Sequence, residues 1–344
     1  MQQIILTEPG SIESRDIPVP EPSEGEVVIK VNTALTCGTD LKAFMRGHKL
    51  ISMPGPFGHE YSGEISGTGK GVENFREGDQ VMGVHSAPCM ECRYCKKELY
   101  NLCEVIMEKK ALGAFSEYLL LPSNVVRHNL FHKPGNIGFA QAALLEPLSC
   151  VVHPYSNLNT SNIKSAFIAG AGPIGLMHLA CLKREGITVI VSDISEERLA
   201  IAGKMGADFI FKDARPDSGI TPAHIINNAT DGMGVDLSVE CTGLKSVWKT
   251  SATYVRRGGT VILFGGCPAG TRVSYDTHRL HYDELTIMGS FHYSPLDVRT
   301  AYRMLSEKEV DLSELISGEF AMKDIEKAFM LLKDGKGIKY ALKP

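Results

Sequence analysis

The sequence predicts an α/β protein of two domains, an irregular strand-rich β-barrel with loops and a doubly wound parallel sheet. Three observations predict it. The chain has 344 residues, 43% of them hydrophobic, enough to bury two cores. Its first half is built from short segments that alternate near period two and are broken by Gly, Pro and Asp. From about Asn162 the texture changes to strands alternating with helical stretches, the pattern of a parallel sheet covered on both faces.

In chain order, "EVVIKVNTALT", "SGEIS", "DQVMGV" and "FSEYLLLP" read as barrel strands. The second region then runs "SAFIAG", a helix from Ile174, "TVIVSD", a helix from Glu196, "ADFIF", "VDLSVE", "GTVILFG" and "LTIMGSF". The tail carries helical segments near Asp297 to Ser306 and Lys323 to Lys333, and a last strand "KYALK". No internal repeat or low-complexity segment stands out.

The formal charge of -4 is small and the basic residues are dispersed, which argues against nucleic acid and anionic membranes as partners. The start "MQQIILTEPG" lacks the basic and apolar blocks of a signal peptide, and no apolar run approaches the ~20 residues of a membrane span. The expectation is a soluble cytoplasmic protein with a small-molecule partner.

In the cytosol thiols stay reduced, so clustered cysteines point to a metal rather than to disulfides. Cys89, Cys92, Cys95 and Cys103 follow C-x2-C-x2-C-x7-C, a spacing that lets one loop wrap four thiolates around a tetrahedral Zn²⁺. An iron–sulfur cluster is the rival, because the first three cysteines copy a ferredoxin run. Against it, the fourth arrives late and no proline follows it. A zinc held by four thiolates has no open position and would clamp a loop rather than meet substrate.

Gly170, Gly172 and Gly175 form G-x-G-x-x-G between a strand and a helix that opens with Pro173 and Ile174. The first glycine permits the turn, the second lets backbone approach a pyrophosphate, and the third lets helix and strand pack. Asp193 closes the next strand about 20 residues on, where an acid accepts both ribose hydroxyls and repels a 2′-phosphate, so NAD is expected. The bland alternative is a glycine-rich turn with an N-capping Asp.

Hydride transfer from an alcohol needs a group that stabilises the developing alkoxide. "TCGTD" offers Cys37, "FGHEYSG" offers His59 and Glu60, and "LLEPLSC" offers Glu146. Singly, each has an ordinary explanation: a buried thiol, a turn histidine, a helix-surface acid.

Together the order C-G-T-D, G-H-E, four-cysteine lobe, E-P and G-x-G-x-x-G resembles the zinc-dependent medium-chain dehydrogenases of the alcohol dehydrogenase superfamily over essentially the whole chain. Glu146 in "LLEPLSC" makes it most similar to the sorbitol and threonine dehydrogenase branch. The resemblance implies a GroES-like catalytic domain over 1–155 and 291–344, with a Rossmann NAD-binding domain over 156–290 inserted between, and substrate in the cleft. It also implies two zinc ions per chain: a structural one on Cys89, Cys92, Cys95 and Cys103, and a catalytic one on Cys37 and His59 with Glu60 and Glu146 as the remaining acidic positions.

By the same resemblance Thr39 passes the hydroxyl proton on, a role compatible with capping the helix that begins at "DLKAF". Lys42 stands where many relatives have a histidine. Cofactor contacts are implied for Arg198, for Cys241, Thr242 and Gly243 in "VECTG", and for Phe264, Gly265 and Gly266 in "FGG". His292 replaces an arginine that meets polyol in sorbitol dehydrogenases, while His278 and His281 read as loop or interface residues. A polyol, cyclitol, sugar phosphate or β-hydroxy amino acid would suit the chemistry, and a homodimer or homotetramer is implied. The readings kept beside a polyol or secondary-alcohol dehydrogenase are a threonine-type 3-dehydrogenase, a zinc-free quinone or enone reductase, and a non-catalytic zinc-lobe scaffold or nucleic-acid binder.

Overall fold

The computed structural model describes residues 1–49, 51–213 and 222–344. They form two compact units: Met1–Cys150 with His292–Glu309 and Leu315–Pro344, and Val151–Phe291 with Val310–Glu314. Among the described residues no helix is long and apolar enough to cross a membrane.

The first unit is built on a seven-stranded sheet in the order Ile316–Ala321, Lys339–Lys343, Val27–Leu35, Tyr61–Thr68, Gln80–Gly83 and Leu130–His132, with Tyr118–Leu121 also paired to Val27–Leu35. A smaller sheet joins Ser11–Asp16, Gln2–Glu8 and Gly55–Pro56. Val27, Ile29, Val31, Leu119 and Leu121 turn inward and bury beside Phe57, Phe115 and Phe329, whose rings meet at 5.0 and 6.1 Å. Close strand contact needs Gly63, where a Cβ would stand 2.2 Å from the Lys30 carbonyl oxygen. The C-terminal strand pairs antiparallel with Val27–Leu35, Ala341 opposite Leu35, and so brings the far end of the chain beside residues 36–60.

The helix Gly38–Arg46 begins directly after that central strand. Its N-cap is Cys37, in extended geometry, whose Sγ accepts from the Thr39 N–H at 3.5 Å. Thr39 therefore lies in the first turn and is not the cap, because the residue with non-helical φ/ψ and a free side-chain acceptor precedes it by two. The tail helix starts at Ile325 rather than Lys323, after a 3-10 turn over Met322–Asp324.

The second unit holds a six-stranded, wholly parallel sheet. Its order is Phe209–Lys212, Thr188–Asp193, Ser165–Ala169, Val235–Glu240, Val255–Leu263 and Thr286–Gly289. The three strands Ser165–Ala169, Thr188–Asp193 and Val235–Glu240 are almost wholly buried, as strands covered on both faces must be. Strand order reverses between Ser165–Ala169 and Val235–Glu240, and the carboxyl ends at such a switch point are where open parallel sheets bind ligands.

Candidate active site

Four predicted residues of the first unit come to the interior by different routes. Cys37 caps a helix, His59 and Glu60 lead into the strand Tyr61–Thr68, and Glu146 lies in the first turn of the helix Leu145–Val152. Their donor atoms fall into two overlapping groups, each within 4.8 Å: Cys37, Asp40 and His59, and His59, Glu60 and Glu146. His59 belongs to both. All but the half-buried Cys37 are buried. Asp40 was not singled out in the sequence, yet its Oδ1 stands 3.2 Å from His59 Nδ1. Burial alone would lower the His59 pKa, but Asp40 and then Cys37 outweigh it and hold the ring well above the ordinary imidazole range.

A thiol, an imidazole and carboxylates drawn together out of water form a donor set suited to zinc. The site also has use for a cation's charge: among the described residues Asp40 Oδ2 is buried without a hydrogen bond and Oδ1 has the 3.2 Å approach of His59 Nδ1, and buried carboxylates are costly unless paired. The residues fit the metal.

The two glutamates differ in their partners. Lys339, buried at the start of the last strand, donates from Nζ to Glu60 Oε1 at 2.8 Å, Glu60 Oε2 at 2.6 Å and the Thr36 carbonyl at 2.8 Å. Burial would lower the Lys339 pKa, but the Glu60 carboxylate reverses this and keeps the ammonium charged. Glu146 meets His85 Nδ1 at 3.3 Å and accepts a long contact from Cys150 Sγ at 3.8 Å. Burial opposes its ionisation, yet the His85 hydrogen bond and the charge of His59 hold it down at about 2.

His85 starts a further cluster. Its Nδ1 is 3.2 Å from Tyr293 Oη, which is 3.1 Å from Ser86 Oγ, itself 2.6 Å from His292 Nε2. His292 is thus tied into this network, with φ +63° and its ring stacked 4.0 Å from Tyr293.

The four-cysteine lobe closes on itself. The Sγ atoms of Cys89, Cys92, Cys95 and Cys103 all lie within 4.8 Å of one another, with Cys89 to Cys103 at 3.6 Å and Cys89 to Cys95 at 4.0 Å. Thiolates on a tetrahedral zinc at about 2.3 Å stand about 3.8 Å apart, whereas a disulfide needs about 2.05 Å. Backbone N–H groups of Glu91 and Cys92 point at the Cys89 sulfur, at 3.5 and 3.4 Å. The N–H groups of Glu104 and Cys95 pull the Cys92 thiol down to about 6, toward the thiolate a metal needs.

In the second unit the glycine motif forms a turn with Gly170 at φ +102°. A Cβ on Gly175 would stand 1.8 Å from the Gly170 carbonyl oxygen, whereas one on Gly172, the N-cap, would meet nothing within 4 Å. Pro173 and Ile174 open the helix Pro173–Arg184, and the first N–H groups of a helix lack partners within it and suit an anion. Asp193 does not cap the following helix; Ser195 does, accepting from the Arg198 N–H. Asp193 instead braces the motif, its Oδ2 accepting from Ala171 N–H at 2.7 Å and its Oδ1 from Ser195 N–H at 2.8 Å. Arg198 Nε is buried without a partner among the described residues, as expected where a phosphate or ribose belongs.

The segments at Val239–Gly243 and Phe264–Gly266 are laced together by Glu240, which sequence reading passed over. Its Oε1 accepts from Thr242 and Gly243 N–H at 2.7 and 2.9 Å, and its carbonyl accepts from Phe264 and Gly265 N–H. Cys241 N–H joins the Ala169 carbonyl at 2.9 Å. A Cβ on Gly265 would lie 2.3 Å from Gly243 N, and Gly266 continues the same turn. The residues fit a dinucleotide.

The chain is similar to known proteins. A family model described as zinc-binding dehydrogenase matches residues 173–307, and one described as alcohol dehydrogenase GroES-like domain matches residues 23–130. D-xylulose reductase A of Aspergillus oryzae is 31% identical over 336 residues, covering 95% of this chain and 92% of its own. D-arabitol-phosphate dehydrogenase of Enterococcus avium is 31% identical over 329 residues, covering 94% and 91%. Among solved structures, an alcohol dehydrogenase from Escherichia coli CFT073 complexed with NADH superposes with a TM-score of 0.87 at 26% identity, covering 100% of this chain and 99% of that one.

Proposed function

Because the chain belongs to the zinc-binding dehydrogenases with an alcohol dehydrogenase GroES-like domain, we propose that it oxidises a secondary alcohol of a polyol, cyclitol or sugar-derived substrate with NAD. The observation that carries this is that Cys37, His59, Glu60 and Glu146 fall into two donor groups joined at His59, in a chain that also carries a complete dinucleotide turn. When bound, zinc supplies Lewis acidity to the substrate hydroxyl and NAD accepts the hydride.

The ligands of the catalytic zinc are Cys37, His59 and Glu146. Asp40 engages His59 Nδ1, which fixes the ring and leaves Nε2 for the metal. Lys339 occupies both oxygens of Glu60, so Glu60 stands in reserve beside the centre. Thr39 relays the hydroxyl proton, accepting it at Oγ1 as its own hydroxyl proton passes on toward solvent. The four-cysteine lobe holds the second zinc and shapes its loop.

On the cofactor side, the helix that begins at Pro173 receives the pyrophosphate. Asp193 keeps one lone-pair direction on each oxygen for the ribose hydroxyls, and Arg198 faces the same end. Cys241, Thr242, Gly243, Phe264, Gly265 and Gly266 line the nicotinamide half. A cytoplasmic homodimer or homotetramer completes the proposal, and sedimentation reads its size.

The test is NADH formation by the zinc-loaded protein across polyols, cyclitols, sugar phosphates, threonine and simple secondary alcohols. The Cys37→Ser variant should lose turnover and one of two zinc ions while keeping the lobe's zinc. Unchanged turnover in that variant overturns the assignment.

A further inference from the structure

We propose that His85 is the positioning residue for Glu146, its Nδ1–H donating to Glu146 Oε1 and fixing that carboxylate against His59. The inference rests on the reading of Glu146 as a ligand of the catalytic zinc. It concerns a residue 61 positions before Glu146 in the chain, between the strand segment "DQVMGV" and the four-cysteine lobe.

The contact is 3.3 Å between two buried side chains, 8% and 6% exposed, so solvent does not compete for it. His85 is itself held from several sides. Its carbonyl accepts from Ala111 N–H at 2.7 Å, and its ring stands edge-on to His59 and His292 at 5.2 and 5.3 Å. Tyr293 Oη lies 3.2 Å from the same Nδ1. Tyr293 is fixed in turn by Ser86 Oγ, and the Ser86 carbonyl by Asn129 Nδ2 at 2.8 Å. A donor this firmly placed holds its acceptor to one orientation.

Glu60 shows why the donor's charge matters. Lys339 orients Glu60 with an ammonium, which cancels the carboxylate's charge as it holds it. An imidazole carrying its proton on Nδ1 orients Glu146 equally well and leaves the full charge for the metal. Outer groups of this kind commonly contribute about 10- to 100-fold to metal affinity.

The experiment compares the zinc-loaded parent with His85→Ala, His85→Asn and Glu146→Gln. It reads zinc retained per chain against a graded chelator and the visible spectrum after cobalt(II) exchange into the catalytic site. His85→Ala is expected to bind the catalytic metal about 10- to 100-fold more weakly and to shift the cobalt bands, with the lobe's zinc retained. Asn places an amide N–H near the position of Nδ1–H, so His85→Asn should recover most of the affinity and the parent spectrum. Parent affinity and spectrum in His85→Ala overturn the inference, and so does His85→Asn behaving like His85→Ala. If His85→Ala loses the lobe's zinc as well, it has not folded, and His85→Phe, which fills the space without a donor, takes its place with the same outcomes. Glu146→Gln separates the two readings: unchanged affinity there removes Glu146 as a ligand, whereas weakened affinity there with none in His85→Ala removes only the role of His85.

Discussion

Replacing Lys339 by methionine keeps most of the side-chain volume and deletes a buried ammonium. Lys339 is 1% exposed and its three donor contacts, two to Glu60 and one to the Thr36 carbonyl, are all within 2.8 Å. The variant strips a fully buried carboxylate of its ammonium partner and removes a donor from a backbone acceptor. Removing one member of a buried ion pair costs about 3–5 kcal/mol, because the remaining charge cannot regain its hydration. Protonation offers Glu60 a partial escape, since burial already pushes its carboxyl up to about 7 with Lys339 in place, and this draws the cost toward the lower figure. For a unit of this size, about 2–4 °C per kcal/mol predicts a melting temperature roughly 6–20 °C lower.

Calorimetry and urea unfolding at neutral pH read the loss directly. The double variant Lys339→Met/Glu60→Leu replaces the pair by apolar groups and should recover most of it, as buried pairs exchanged whole often do. A single variant within about 1 kcal/mol of the parent, or a double variant no better than the sum of its singles, refutes the account of the pair.

Gly175→Ala places a Cβ 1.8 Å from the Gly170 carbonyl, so the turn must open; NAD affinity, read by fluorescence, should fall at least about tenfold, and parent-like binding would sink the pyrophosphate assignment. Cys103→Ser should lower the zinc content from two ions to one and the melting temperature with it, measured by metal analysis and calorimetry; retention of both ions would contradict a four-thiolate site. His178 is fully buried, with Nδ1 2.7 Å from Tyr155 Oη, and burial holds its pKa at about 3. The unfolded chain takes up that proton near about 6.5, so the stability it contributes is complete above that pH and is lost at about 1.4 kcal/mol per unit as pH falls toward 3. His178→Leu should flatten this acid slope in urea titrations, and an unchanged slope would place the titrating group elsewhere.

What the sequence disclosed was whatever local spacing controls. The glycine turn, the lobe and the parallel strands each depend on neighbours a few residues apart, and a period of two or a C-x2-C spacing records such neighbours faithfully. The partners of the metal pocket are of another kind. Lys339 and Glu60 are 279 residues apart, and Tyr293 and His85 208 apart; the first pair meets because the last strand lies beside Val27–Leu35, and the second through the return of the chain to the first unit at His292. Lys339 left one trace, a charged residue opening the short apolar strand "KYALK", where four of five positions are buried. The capping role considered beside the relay for Thr39 falls to Cys37 for a local reason: a thiol is a less familiar acceptor than a hydroxyl.

The division of labour between the two glutamates has an electrostatic consequence. A divalent zinc held by one thiolate, one carboxylate and a neutral imidazole forms a centre of zero net charge, and each further anion weakens its pull on a hydroxyl. Glu60 is such an anion, close to His59 and Glu146, and it would compete for the position the substrate needs. Lys339 cancels that charge and engages both of its oxygens. A zinc on the four-cysteine lobe would be the opposite case, four thiolates making a closed, anionic centre without an open position. On the proposed assignment one chain prepares two sites for the same metal: the number of ligands keeps alcohol out of the lobe, and Lys339 keeps Glu60 from closing the other.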